Sequence, residues 1–183
     1  AYALKIDIYD SVEGLKILED FEDVNKGWYQ TLDSALGSDV GTFTAGGSIG
    51  TGATSYNANH DSDSENPYFS VQNTADHSNS PWYGRANTTA GGSQWLDSGD
   101  ITQLTLDVAD YIGNNYNSLY FYMLDPSDCG ATTTVNGVAA TTEVIDFSGE
   151  TNGEMFLVGI TWDDNEVLDQ ITWTVSTQGD GYG

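Results

Sequence analysis

The last apolar stretch of the chain admits one kind of backbone. In Gln170–Ser176, Ile171, Trp173 and Val175 alternate with Thr172, Thr174 and Ser176. A period of two gives a strand one buried face and one wet face. Helical periodicity is almost absent elsewhere, and apolar or alternating segments recur between clusters of Gly, Asn, Asp and Ser, the all-β pattern. Strands are expected at Leu4–Tyr9, Leu15–Phe21, Thr42–Ala45, Tyr68–Gln72, Tyr83–Thr88, Ile101–Val108, Ser118–Leu124, Thr132–Val135, Thr142–Phe147, Glu154–Trp162 and Val167–Ser176. Asp107–Tyr111 also fits a short helical turn. Gly46–Asn66, rich in Gly, Ser, Asn and Asp, reads as a long surface loop, and such loops are usually functional or mobile. No internal repeat and no linker interrupts the pattern. A length of 183 residues suits one domain, so residues 1–183 are read as a single β-sandwich, jelly-roll-like. Residues 1–18 also fit the edge of a neighbouring module.

Charge decides what such a sandwich can meet. There are 28 Asp plus Glu against 4 Lys plus Arg, a formal net charge of -24. That balance repels nucleic acid and anionic membranes, which bind basic patches. It also strains the compact state by self-repulsion. Two readings answer this: a salt-adapted acidic surface, or clusters of Asp neutralised by divalent cations. Calcium takes about six to eight oxygen ligands from carboxylates, carbonyls and water, so several calcium ions in long loops are expected. Disorder, the other outcome for an acidic chain, is opposed by 5 Trp, 11 Tyr and 6 Phe. Cys129 is the single cysteine, which excludes an internal disulfide and a cysteine-based zinc site. No apolar run reaches transmembrane length, and no signal peptide opens at Ala1. The chain reads as a fragment of a larger secreted protein.

The acids are not scattered evenly. Asp97-Ser98-Gly99-Asp100 precedes the strand Ile101–Val108, and Asp125-Pro126-Ser127-Asp128 follows the strand Ser118–Leu124. Antiparallel pairing of those strands, favoured by their short connection, would bring both Asp-x-x-Asp turns to one end. Four carboxylates would then converge on a cation. Two ordinary Asp-rich turns are the alternative, since Asp suits turns well. Asp180, in Gly179-Asp180-Gly181-Tyr182-Gly183, joins the same end if the strands run as a meander; a frayed tail is the alternative. Glu19-Asp20-Phe21-Glu22-Asp23 offers a second cation site, with Asp20 and Glu22 on one face of a strand, or else a solvated strand edge. Asp61-Ser62-Asp63-Ser64-Glu65-Asn66 begins like an EF-hand loop, but it lacks the sixth-position Gly, and Gln72 stands where the bidentate Glu belongs.

Catalysis is weakly supported. Gly46-Gly47-Ser48-Ile49-Gly50 matches the nucleophile-elbow pattern without the helix that must follow it. The two histidines, His60 and His77, stand in polar loops. A glycosidase needs two facing carboxylates of divergent pKa, and a cation site explains the Asp pairs more simply. The expectation is a binding protein and not an enzyme. Arg85, the single arginine, either bridges a nearby Asp or contacts a ligand carboxylate or hydroxyl. Trp28, Trp82, Tyr83 and Trp95 either pack in the core or stack on sugar rings, so a calcium-dependent carbohydrate-binding module is the second reading.

Four motifs stand in order: Gly84-Arg85-x-Asn87-Thr88, Gly92-Ser93-Gln94-Trp95-Leu96-Asp97-Ser98-Gly99-Asp100, Phe121-Tyr122-Met123-Leu124-Asp125-x-x-Asp128 and Asp180-Gly181-Tyr182-Gly183. From about Glu19 onward, this set resembles the peptide-binding domain of giant calcium-dependent bacterial adhesins of the repeats-in-toxin type. It also resembles a similar domain of exported bacterial proteins that carry a sorting tail. Family members usually continue past the Gly-Tyr-Gly equivalent with a hydrophobic residue and one or two Asp; here the sequence ends at Gly183. The resemblance implies a monomeric module of a larger adhesin on the bacterial cell surface, active in cell adhesion and biofilm. It implies that the domain grips peptide or protein C-termini on target cells, the terminal carboxylate completing the coordination of a calcium ion. On motif positions, Asp97, Asp100, Asp125, Asp128 and Asp180, with Asp20 and Glu22, are the expected metal ligands. Arg85, Asn87, Ser98, Gly99, Ser127 and Tyr182 are the expected ligand contacts.

Overall fold

A computed structural model describes residues 4–24, 27–29, 35–49, 69–73, 88, 90–98, 101–127, 129–151, 153–176 and 182. Strands run in the order β1 (Lys5–Tyr9), β2 (Gly27–Tyr29), β3 (Ala35–Ser38), β4 (Gly41–Ile49), β5 (Phe69–Asn73), β6 (Gln94–Asp97) and β7 (Ile101–Val108). A short helix α1 (Asp110–Asn115) follows. The chain then forms β8 (Ser118–Leu124), β9 (Ala131–Gly137), β10 (Thr142–Asp146), β11 (Met155–Thr161) and β12 (Leu168–Val175). The fold is an all-β sandwich. A six-stranded sheet has the order β10-β9-β12-β7-β4-β3 and a three-stranded sheet the order β1-β11-β8. A short sheet β2-β5-β6 joins the same core, and the described pairings are all antiparallel.

The alternation builds the core. Register sets Leu36, Phe43, Leu106, Ile171 and Val135 opposite one another across five strands. All five are buried. Two residues along, Ala45, Leu104 and Trp173 form a parallel row, because i and i+2 share a face. The opposing sheet closes on these rows through rings: Phe121 of β8 meets Trp173 edge-on at 5.5 Å, and Trp173 stacks on Phe43 at 6.2 Å. Farther along, Phe156 of β11 packs on Phe147 at 5.2 Å. Such aromatic pairs add to the burial of their area.

Several expectations are corrected. Leu15–Phe21 forms no ladder. Its end is held by side-chain bonds instead: one Glu19 oxygen accepts from Phe21 N at 2.6 Å and the other from Asp39 N at 2.7 Å. Local side-chain to backbone bonds of this kind compete with sheet pairing. Phe21 sits at φ +60, where a strand cannot continue, with its ring 5.9 Å from Phe43. β7 and β8 do not pair; β7 lies between β12 and β4, and β8 pairs with β11 in the other sheet. Their connection holds α1, with Ile112 fully buried, and carries the chain from one layer to the other. Asp107 and Val108 are still part of β7, so the helical turn begins at Asp110, three residues later than expected. Gly46–Ile49 continues β4, so the elbow-like pattern starts on a strand. The rest of the Gly46–Asn66 loop lies outside the described residues, as does the strand expected at Tyr83–Thr88 apart from Thr88, which is in no strand. Lys5–Tyr9 is bonded into the sandwich along Leu157–Thr161 of β11.

Candidate functional site

Three parts of the chain meet at one end of the sandwich. β6 ends at Asp97, and Ser98 follows. Ser98 N donates to Tyr182 O at 2.9 Å, and Tyr182 N donates to Ser98 Oγ at 2.8 Å. This two-way link docks Tyr182 against the first Asp-x-x-Asp turn. The ring is buried, and burial pushes its phenol well above the ordinary value of 10.0. The Cys129 thiol and the Asp97 carboxyl push it the same way. Tyr182 therefore sits within electrostatic reach of both Asp97 and the turn that contains Cys129.

That turn is the second Asp-x-x-Asp element. Asp125 stands at φ +54, a left-handed position that Asp tolerates better than most residues. Its N–H donates to Glu154 O at 2.9 Å, and its Oδ1 accepts from Gly153 N at 2.7 Å. Ser127 Oγ donates to Thr151 O at 2.8 Å. Pro126 O accepts from Ala131 N at 2.8 Å and from Cys129 Sγ at 3.4 Å. The turn is thus riveted to residues 151–154 and to β9. The roles of Thr151, Gly153 and Glu154 were not visible beforehand, because they follow from the β8–β11 register and not from any local motif.

Asp97 is 0% exposed and Asp125 3%. Buried carboxylates require hydrogen bonds or a cation to offset lost hydration. The donors here are carboxylate, hydroxyl and carbonyl oxygens, the chemistry a hard cation prefers. Ser98 and Ser127 are buried with them. Asp100, Asp128, Asp180, Arg85, Asn87 and Gly99 lie outside the described residues. Among the described residues, no group of three or more His, Cys, Asp or Glu converges.

Asp20 and Glu22 lie elsewhere and do not share a strand face, since no strand forms there. Asp20 Oδ1 accepts from Glu22 N at 3.1 Å. Glu22 reaches the start of β6, the end away from Asp97: Oε1 accepts from Gln94 N at 2.5 Å and from Ser93 N, and Oε2 accepts from Ser93 Oγ at 3.1 Å. The bonds from the Gln94 and Ser93 backbone hold its carboxyl below the ordinary 4.5. A depressed carboxyl stabilises the fold above its unfolded pKa, and that stability is lost as pH falls through the folded value. Glu22→Gln should therefore lower the melting temperature at pH 7, and its gap to wild type should close as pH drops below about 4. Thermal melts across pH 3–7 check this; a gap that stays constant with pH removes the charge from the explanation.

Trp95 is 5% exposed, which places it in the core rather than on a surface where sugars stack. The side chains of Trp28, Trp82 and Tyr83 lie outside the described ones. No family model, no curated protein and no solved structure matches the chain. Fold and site define it as an all-β sandwich with an acidic, Tyr182-stapled corner. Function has to be argued from that corner, since a sandwich fold hosts many functions.

Proposed function

We propose that the chain is a calcium-dependent adhesin domain, an extracellular binding module rather than an enzyme, that holds peptide or protein C-termini on a target cell surface. One observation carries this reading: Asp97 and Asp125, one from each Asp-x-x-Asp turn, are both buried at the end where Tyr182 docks. In this reading Asp97 and Asp125 bind calcium together with Asp100, Asp128 and Asp180 of the same motifs. Calcium supplies the charge that makes the turns compatible, and a vacant coordination position accepts the peptide carboxylate. A chain of net charge -24 repels an anionic peptide end, and a partly open cation inverts that repulsion locally. The hydroxyl and backbone groups beside the ion would read the last side chains.

Peptide arrays displaying free C-termini, probed with labelled protein in calcium and again in chelator, test this. Binding is expected to free carboxylates in calcium alone, with amidated ends at least tenfold weaker. Equal binding to amidated ends removes the carboxylate from the mechanism. Binding confined to a parallel glycan array replaces it with sugar recognition.

A further inference from the structure

A cavity of about 480 Å³ runs beside the acidic corner, within the ~300–1,000 Å³ range of ligand pockets. Two segments line it throughout, every residue of Ser118–Leu124 and every residue of Gly14–Phe21. Successive strand residues point to opposite faces. A cavity that touches all of β8 therefore follows its edge and not one face. Among the described residues, β8 is the last strand of its sheet and pairs with β11 alone. Phe43, Leu104 and Trp173 of the six-stranded sheet form the floor, and Ser98 and Tyr182 line the cavity as well.

Register tells which backbone groups face the cavity. Asp125 N donates to Glu154 O at one end of the β8–β11 ladder, and Trp162 N donates to Asn117 O at the other. Hydrogen-bonded pairs alternate along an antiparallel ladder. The odd-numbered residues of β8 therefore bond to β11. Ser118, Tyr120, Tyr122 and Leu124 turn their N–H and C=O groups to the open edge, where no described backbone pairs with them. An unpaired edge of this kind templates a further strand.

We propose that this slot is a β-augmentation site for an extended peptide with side chains alternating apolar and polar, none of them acidic. Backbone amides at strand spacing satisfy the four outward residues of β8 in series, over roughly 20 Å of strand. The apolar side chains fall on Trp173, Leu104 and Phe43. Glu19 and Asp20 on the opposite wall, together with the net charge, exclude acidic side chains. The inference deepens the peptide-binding reading, and it rests on that reading only for direction. A carboxyl end held at the Asp125 corner makes the bound strand run parallel to β8.

The probe is a synthetic Thr-Val-Thr-Val-Thr-Val-Thr peptide, added to the full chain in calcium as the free acid, as the C-terminal amide, and as an amide N-methylated at its valines or at its threonines. Hydrogen exchange of the Tyr120 and Tyr122 amides should slow with both unmethylated forms. One of the two methylation patterns should weaken binding at least tenfold. Tyr122→Pro removes an outward N–H and keeps the β11 bonds, as prolines on edge strands do. It should weaken binding at least tenfold while melting within a few degrees of wild type. No protection by any peptide overturns the slot. So does undiminished binding of both methylated forms, or slow exchange at Tyr120 and Tyr122 already present in the free protein, which would mean that Gly14–Phe21 zips onto β8 itself. Binding of the free acid alone, without protection of β8, overturns the slot and leaves the carboxylate reading standing. Protection by the amide with no gain from the free acid does the reverse.

Discussion

Stripping calcium from the folded chain is expected to lower its melting temperature by roughly 10 °C or more. An ion that binds only the folded state stabilises it by mass action, about 4 kcal/mol when its concentration is a thousand times Kd. For a domain of this size, each kcal/mol moves the midpoint by about 2–4 °C. One such site at the Asp97–Asp125 corner therefore accounts for roughly 8–16 °C, and further ions add to it. The direction follows from burial: Asp97 and Asp125 are out of water, and removing a cation from beside them restores repulsion with no hydration to offset it. Scanning calorimetry in calcium and in excess chelator reads the shift directly. Magnesium should rescue poorly, since it demands near-octahedral geometry and gives up its waters reluctantly. Superimposable scans would remove calcium from the corner, and the carboxylate-gripping mechanism with it.

The period-two signal was legible where apolar residues alternate along a long strand, and it lost β4 beyond Ala45, where Gly46-Gly47-Ser48 continues the strand with small residues. Ile101–Val108 and Ser118–Leu124 appear with the bounds that alternation and their turn-forming flanks predict. It was not legible in short strands of small or polar residues. Ala35–Ser38 contributes Leu36 alone to the core, and Gln94–Asp97 buries Trp95 beside a carboxylate. Leu15–Phe21 failed in the opposite sense. It has strand composition and no partner, because pattern describes a strand's faces and pairing depends on neighbours remote in sequence. The same limit explains β7 and β8. A short connection suggests a hairpin, but buried Ile112 makes that connection a crossover between layers.

The corner itself was legible as far as its residues are local. Asp97, Ser98, Asp125, Ser127 and Tyr182 were each marked by motif, and the structure buries all five. Strand pairing was the wrong ground for placing the two turns at one end. β7 and β8 do not pair, yet they run in opposite senses in facing layers, so the turn before one and the turn after the other still share an end. The partners that fix Asp125 could not be found this way. Gly153 and Glu154 oppose it only because Met155 registers with Leu124, and no composition rule supplies a register. Asp20 and Glu22 misled because alternation was applied to a segment that turns at Phe21.

Tyr182→Ala is expected to destabilise the fold by about 3–5 kcal/mol, the range for deleting a buried aromatic side chain. The ring is 5% exposed and lies between the Asp97–Ser98 end of β6 and the Cys129 turn, so its loss leaves a cavity where the two Asp-x-x-Asp elements meet. Tyr182→Phe keeps the packing and removes only the hydroxyl, so it should cost far less than Tyr182→Ala at neutral pH. The pair separates at high pH. Burial holds the phenol protonated in the folded state, above its ordinary 10.0. A raised pKa gives stability that is complete below the unfolded value and lost as pH rises toward the folded one. Wild type should therefore weaken above about pH 10, and Tyr182→Phe should lose less over the same range. The alanine variant also tests whether the staple serves the cation. If Tyr182 positions the aspartate turns, the chelator-induced shift shrinks in Tyr182→Ala, because interacting groups are not additive. A variant that melts lower yet keeps the full calcium shift would make Tyr182 a core residue that happens to border the site.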